Sequence, residues 1–254
     1  MELAEVKNRE FSLRDLLTSS WSIFNERFST IGVITLLIYI PINMILAFVS
    51  IHTLVENEGL FRGIKLYMQI VRLLEGMIGV LATMAIAYVV ERMTEGEKIE
   101  YGPAMKKSLS RWKSVIWTGI VAGAIILGFT LLLIVPGIIW SVYYLFFIMV
   151  VALRDKRGKA ALDYSKSLVK GKWWRVVGIS LGLGIIQIAA YAVIEIPFLF
   201  MPDGAVIDVI SGTLMDLASS FFTVAATVFF LNLEYLRTVE AGASQIAAPG
   251  GVTG

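Results

Sequence analysis

The sequence predicts an all-α fold: a polytopic membrane protein with six transmembrane helices and three cytoplasmic interfacial amphipathic helices, built as three helix-plus-hairpin repeats. Three observations predict it. Of 254 residues, 57% are hydrophobic, above the roughly 45 to 50% of soluble domains. Six apolar runs approach or exceed the ~20 residues that a helix needs to cross a hydrocarbon core of roughly 30 Å. Nineteen of the twenty-two lysines and arginines lie in four stretches: Met1 to Phe28, Arg92 to Lys113, Arg154 to Arg175, and the tail after Leu236. Alternate turn-arounds are poor in basic residues, with Arg62, Lys65 and Arg72 in the first and none in the other two. The positive-inside rule then places both termini in the cytoplasm, in the plasma membrane of a prokaryote.

The elements follow in order. The first 28 residues hold five acids (Glu2, Glu5, Glu10, Asp15, Glu26) beside four bases, unlike a cleavable signal peptide. Phe11, Leu13, Leu16, Leu17, Trp21, Ile23, Phe24 and Phe28 gather largely on one side of a helix, as in a helix lying in the interfacial plane. Spans are expected at Thr30 to Ile51, Val71 to Glu91, Ser114 to Val135, Gly137 to Leu153, Val176 to Phe200 and Val206 to Leu233. The outer loop from His52 to Ile70 has room for a helix of its own, with Phe61, Ile64 and Leu66 toward lipid. Pro136-Gly137 and Pro202-Asp203-Gly204 are expected to turn the second and third hairpins. One membrane domain fills 1–237, and the Gly/Ala-rich segment 238–254 is expected to be a disordered cytoplasmic tail.

Self-similarity organises the domain into units of about 10–92, 100–155 and 158–237. Leu16-Leu17, Ser20, Ile23, Arg27-Phe28 and Gly32 in the first match Ala161-Leu162, Ser165, Leu168, Lys172-Trp173 and Gly178 in the third. A shorter middle copy reads Ala104-Met105, Ser108-Leu109, Arg111-Trp112 and Gly119. The unit exits also match loosely: Val90-Glu91-Arg92, Leu153-Arg154-Asp155 and Leu233-Glu234-Tyr235-Leu236-Arg237.

The stretch Leu133 to Gly178 carries a Pro-Gly turn (Pro136-Gly137), a charged link (Asp155 to Lys159), an Ala-rich helix with Ser165 and Ser167, and the entry Gly171-Lys172-Trp173-Trp174-Arg175. In these features it resembles the membrane domain of some glycerophosphoryl diester phosphodiesterases and YciC-type six-span membrane proteins. The resemblance implies the six-span architecture without an assigned activity. In the phosphodiesterases, catalysis belongs to a separate soluble barrel with histidines, acids and a metal ion, and the seventeen residues after Arg237 leave no room for one. That activity is therefore not expected.

Little in the chain suits catalysis. No cysteine and one histidine, His52, are present, which excludes thiolate chemistry, histidine-rich metal sites and relays that need several such groups. His52 reads as a solvated interfacial residue, and Ser165 and Ser167 have no base partner. The net charge of +2 does not mark a nucleic-acid binder. No cofactor or metal is expected.

Ionisable residues in apolar spans are costly and normally face a bundle interior or a wet cavity. Arg72, Glu75, Glu195, Asp208 and Asp216 are such residues. Gly212, Asp216, Ser219, Thr223 and Thr227 form one polar face of span six, and Ser180, Gly184, Gln187, Tyr191 and Glu195 one of span five. Arg72, Glu75, Gly79, Thr83 and Ala87 do so in span two, and Thr35, Tyr39 and Asn43 in span one. These faces either converge on an outward-opening cavity, with Arg72 the expected partner of Asp216, or simply pack, with Arg72 and Glu75 paired; Gly119-xxx-Gly123 and Gly178-xxx-Gly182 carry the packing signature. On the cytoplasmic side Lys106, Lys107, Arg111, Lys113, Lys166, Lys170, Lys172 and Arg175 are candidates for anionic headgroups, at about 1 kcal/mol each near the surface. Trp112, Trp173 and Trp174 are expected interfacial anchors.

Three functions compete. The first is a non-enzymatic membrane protein that binds or organises lipid or supports envelope homeostasis, its partners being anionic membrane lipids, a second copy or another membrane protein. The second is a small transporter, channel or export accessory for a peptide or cation. The third is an intramembrane enzyme pairing Asp216 with Glu195 or Asp208.

Overall fold

The computed structural model describes residues 9–49, 51–202 and 204–247, and the side chains of all of these except 52, 53 and 242–247. Every regular element among the described residues is helical. The first helix, α1 (Leu13–Glu26), opens on a capping box: Asp15 N donates to Ser12 Oγ (3.2 Å) and Ser12 N to the Asp15 carboxylate (3.0 Å). The bonds from Ser12 and the guanidinium of Arg9 hold the Asp15 carboxyl below its usual range. Leu16, Ser20 and Ile23 are buried while Trp21 is exposed. Arg27 alone separates α1 from α2 (Phe28–Val49), which continues through Pro41.

The segment between the first two spans holds more structure than expected. It folds into α3 (Ile51–Glu58) and α4 (Leu60–Leu74) around Gly59, whose φ of +80° suits glycine. These helices touch so closely that a Cβ at Gly63 would lie 2.6 Å from Val55 N. Phe61 is exposed as expected, Ile64 is also exposed, and Leu66 is half-buried. The side chain of His52 lies outside the described residues. A π-helical segment, Glu75–Gly79, joins α4 to α5 (Val80–Thr94), so the second span begins eleven residues before Val71, at Leu60.

The expected middle interfacial helix is not a separate element. It forms the first third of α6 (Tyr101–Leu132), whose 32 residues make it roughly 48 Å long and longer than a hydrocarbon core. The reason is local: Gly171, at φ +86°, breaks the chain between the third copy's helix and its span, whereas Lys113-Ser114-Val115 simply propagates the helix.

The next turn falls at Leu133, three residues before the expected Pro136-Gly137. Proline lacks an N–H and its ring clashes with the carbonyl four residues back, so α6 stops after Leu132 and Pro136 sits in the first turn of α7 (Ile134–Tyr143). Gly137 matters for closeness: a Cβ there would meet Thr130 Cα at 3.0 Å. The fourth span bends at residues 144–146 before α8 (Phe147–Arg154). Then come α9 (Lys159–Val169), α10 (Trp173–Glu195), a 3-10 turn (Phe198–Phe200) after Pro197, and α11 (Ala205–Ala247). The expected disordered tail from residue 238 is helical to Ala247, where Thr238 Oγ1 donates to Glu234 O (3.0 Å) and Glu240 pairs with Lys172 (2.7 Å).

Among the described residues, six helical stretches are long and apolar enough to cross a membrane. Their most apolar windows are 56% buried in span two and 50% in span six, but only 17% in span three and 6% in span five. The inner positions follow from side-chain size and polarity. Ala82, Ala85 and Ala87 of α5 and Ala225, Thr227 and Asn232 of α11 allow close approach, and Phe146 fits edge-on against Phe229 (5.6 Å). Span five exposes Leu181, Ile185, Ile188 and Val193. In each glycine pair one member packs: Gly119 against the Phe147 ring and Gly182 against Leu13, while Gly123 and Gly178 face open space.

Candidate functional site

Along their length α2 and α11 meet through polar groups. Asn43 Nδ2 donates to Asp216 Oδ2 (2.7 Å) and to Thr213 Oγ1 (3.3 Å). Gly212 makes room, since a Cβ there would come 3.0 Å from Asn43 Oδ1. Gln187 Nε2 donates to Tyr191 Oη (2.7 Å) and across to Ser219 Oγ (3.4 Å) on α11. Tyr39 lies against Gly79 and within electrostatic reach of Asp216, Glu75 and Tyr191.

Asp216 therefore takes Asn43 as its partner rather than the expected Arg72. The cause is packing: α11 lies directly on α2, whereas α4 packs on α3 and α2. The Arg72 side chain makes no ion pair or hydrogen bond among the described residues, with Glu75 or any other group. Both instead line a groove of about 760 Å³ with Tyr39, Thr83, Gly119 and Phe147. A separate cavity of about 250 Å³ is lined by Asn43, Tyr67, Glu195, Asp208, Ser211 and Gly212. The single expected cavity is thus divided: Asn43 borders one space and Tyr39, one turn earlier, the other. Gln187, Tyr191 and Asp216 itself line neither. Among the described residues no group of acids and histidines has the arrangement of a metal site.

The eight headgroup candidates split evenly. Arg111 donates to the carbonyls of Val151 (2.9 Å) and Ala152 (2.8 Å) and pairs with Asp155 (3.0 Å). Arg175 donates to Phe11 O (2.8 Å) and pairs with Glu10 (2.8 Å), Lys172 pairs with Glu240, and Lys166 Nζ stands 4.1 Å above the Trp140 ring. Carbonyls at the end of α8 have no intrahelical partner, and the guanidinium of Arg111 satisfies two of them. Lys106, Lys107, Lys113 and Lys170 have no ion-pair partner among the described residues. Of the tryptophans, Trp174 is exposed, Trp173 Nε1 is buried, and Trp112 Nε1 donates to Met77 O in the π-helical segment.

The three matching exits of the repeat units meet in the fold, a contact that their spacing in the sequence does not reveal. Arg154 at the end of α8 binds Glu91 of α5 and, through two nitrogens, Glu234 of α11. Tyr164 Oη donates to Glu234 (2.6 Å). Burial and the bond to Glu234 push the Tyr164 hydroxyl up to about 12. The available signal was charge: acid, base and acid at the same place in three consecutive exits. Asn232 was also missed; it accepts from Phe11 N (3.2 Å) and donates to Arg9 O (2.8 Å), tying the N-terminal segment to α11.

The six long apolar helices are those of an integral membrane protein. Comparison with known proteins finds no matching family model, no matching curated protein and no matching solved structure.

Proposed function

We propose that the chain is a non-enzymatic protein of a prokaryotic plasma membrane, with both termini cytoplasmic, that binds and organises anionic lipid and so supports the envelope. The observation that carries this reading is a surplus of cations. Near α1, α9 and the exits of α5, α8 and α11, the acids Glu10, Glu26, Asp155, Asp163 and Glu240 are each engaged by a base. Lys106, Lys107, Lys113 and Lys170 are left over, and each such charge near an anionic surface is worth about 1 kcal/mol.

The same proposal includes the threefold build and a relation to the YciC-type six-span proteins, for which the Leu133 to Gly178 motif speaks. Supporting the threefold build, Ser20, Ser108 and Ser165, matched in the three copies, are all buried. Ser108 Oγ donates to Leu81 O (2.8 Å) and Ser165 Oγ to Tyr143 O (2.8 Å), each on the span before its own unit; α1 in turn packs on α11, the last span.

The test is lipid selection by the full chain. Reconstituted in vesicles of equal phosphatidylglycerol and phosphatidylcholine and examined by native mass spectrometry after gentle extraction, it should carry phosphatidylglycerol in excess. Equal retention of the two lipids overturns the reading.

A second reading, transport of a peptide or cation, is favoured by the two spaces flanking the Asn43–Asp216 contact. It requires a proteoliposome flux that Asp216→Asn reduces; an equal flux in both proteins rules out the acidic path.

A further inference from the structure

Resting on the lipid reading above, a more specific site emerges where α6 passes the start of α9. A pocket of about 540 Å³ is lined by Lys113, Ser114, Trp117, Arg157, Gly158 and Lys159. Three of the six residues are cations, and they come from two chain segments, 113–117 and 157–159. The loop between α8 and α9 is fixed in place: Gly158, at φ +54°, donates its N–H to Thr118 Oγ1 (2.8 Å), and Thr118 Oγ1 donates in turn to Ser114 O (2.7 Å). This holds Arg157 and Lys159 beside Trp117, whose Nε1 would lie 3.6 Å from a Cβ at position 158. Of the pocket's cations Lys159 reaches an acid, Asp163, at 2.8 Å with both side chains largely exposed, while Asp155 in the same loop pairs with Arg111 outside the pocket. Lys113 and Arg157 have no ion-pair partner among the described residues. At least two positive charges in the pocket are therefore uncompensated.

The surface leading away from the pocket is apolar. Lys113, Trp117, Ile120, Leu127 and Leu131 recur at helical spacing on the exposed side of α6, and the four apolar residues are each at least 59% exposed. From Lys113 to Leu131 this stripe runs roughly 27 Å at 1.5 Å per residue, comparable to a hydrocarbon core. A basic pocket at the head of a membrane-length apolar stripe matches an amphiphile with a phosphate at one end.

We propose that this pocket binds the phosphate of an anionic phospholipid, with Lys113, Arg157 and Lys159 supplying charge, Ser114 Oγ and Trp117 Nε1 supplying hydrogen-bond donors, and the acyl chains lying along the Trp117-to-Leu131 face. The shared chemistry is a phosphate anion; the stripe assigns the source as lipid rather than free phosphate.

The test compares two variants of equal charge in the phosphatidylglycerol/phosphatidylcholine vesicles. Lys113→Gln/Arg157→Gln/Lys159→Gln strips the pocket, and Arg14→Gln/Lys65→Gln/Lys98→Gln strips the same charge from cations with no assigned lipid contact. The expected result is a roughly 100-fold loss of the most tightly held phosphatidylglycerol in the first, about fivefold for each cation. The second should retain it, and excess inorganic phosphate should leave it in place. Arg157→Gln alone, which removes no internal ion pair among the described residues, should lose about fivefold. Equal retention by the two triple variants overturns the pocket while leaving general anionic selection by the wild type intact. Displacement by inorganic phosphate overturns the assignment to lipid. Absence of any phosphatidylglycerol preference in the wild type overturns both readings.

Discussion

Replacing Arg154 by methionine tests the contact that joins the ends of α5, α8 and α11. The Glu91 and Glu234 side chains are only 9% and 12% exposed, against 28% for Arg154. Methionine keeps the length of the side chain and its apolar stem but leaves two nearly buried carboxylates without their cation, close enough to repel. Removing one partner of a buried pair costs about 3 to 5 kcal/mol. Because Arg154 is partly open to solvent, which screens the interaction, the lower end applies, about 3 kcal/mol. For a chain of this size 1 kcal/mol shifts the melting temperature by roughly 2 to 4 °C, so Arg154→Met should melt roughly 6 to 12 °C lower. Glu91→Gln/Arg154→Met/Glu234→Gln should recover most of that loss, because neutral groups in place of a buried ion network are often tolerated. Tryptophan fluorescence during heating in a mild detergent reads all three proteins. An Arg154→Met variant melting within about 2 °C of the wild type refutes the reasoning, as does a triple variant no more stable than the single.

Two further outcomes are expected. Gly137→Ala places a Cβ 3.0 Å from Thr130 Cα, so it should lower the melting temperature by several degrees at a cost of roughly 1 to 3 kcal/mol, whereas Gly128→Ala, which meets nothing within 4 Å, should not. Tyr164 lies outside the spans, and its hydroxyl is raised from 10.0 to about 12 in the folded chain. A group raised on folding stabilises fully below its unfolded value and loses that contribution as pH rises through the folded one. Wild type should therefore lose stability relative to Tyr164→Phe between pH 10 and pH 12; parallel melting curves across that window would count against the Tyr164–Glu234 bond.

The six spans were legible because a long apolar run is a local property, and α2, α10 and α11 start or end within a few residues of the expected positions at several of their boundaries. The other boundaries moved for local reasons too, as at Leu133, where the effect of Pro136 reaches back a full turn. What the sequence hid is pairwise. Arg72 is the partner that charge alone assigns to Asp216, and Asn43 takes its place because α11 packs on α2. Arg111 and Arg175 looked like Lys106 and Lys170, yet two of them serve backbone carbonyls more than thirty residues away. Periodicity assigns a residue to a face; it carries no information about which helix that face meets.

The polar contacts also explain how apolar helices acquire one relative height. Between helices in a bilayer there is no hydrophobic driving force, and smooth apolar faces resist sliding only weakly. Here α11 is tied at three levels: Asp216 and Thr213 to Asn43, Asn232 to the backbone of Arg9 and Phe11, and Glu234 to Arg154. A slip of one turn, about 5.4 Å, breaks all three at once, since no hydrogen bond survives such a displacement. The three ties reach three separate parts of the chain, α2, the N-terminal segment and α8, so α11 sets the height of each. The partners of Asn232 lie 221 and 223 residues earlier, which means that α1 cannot take its final place until the last span has been made and inserted.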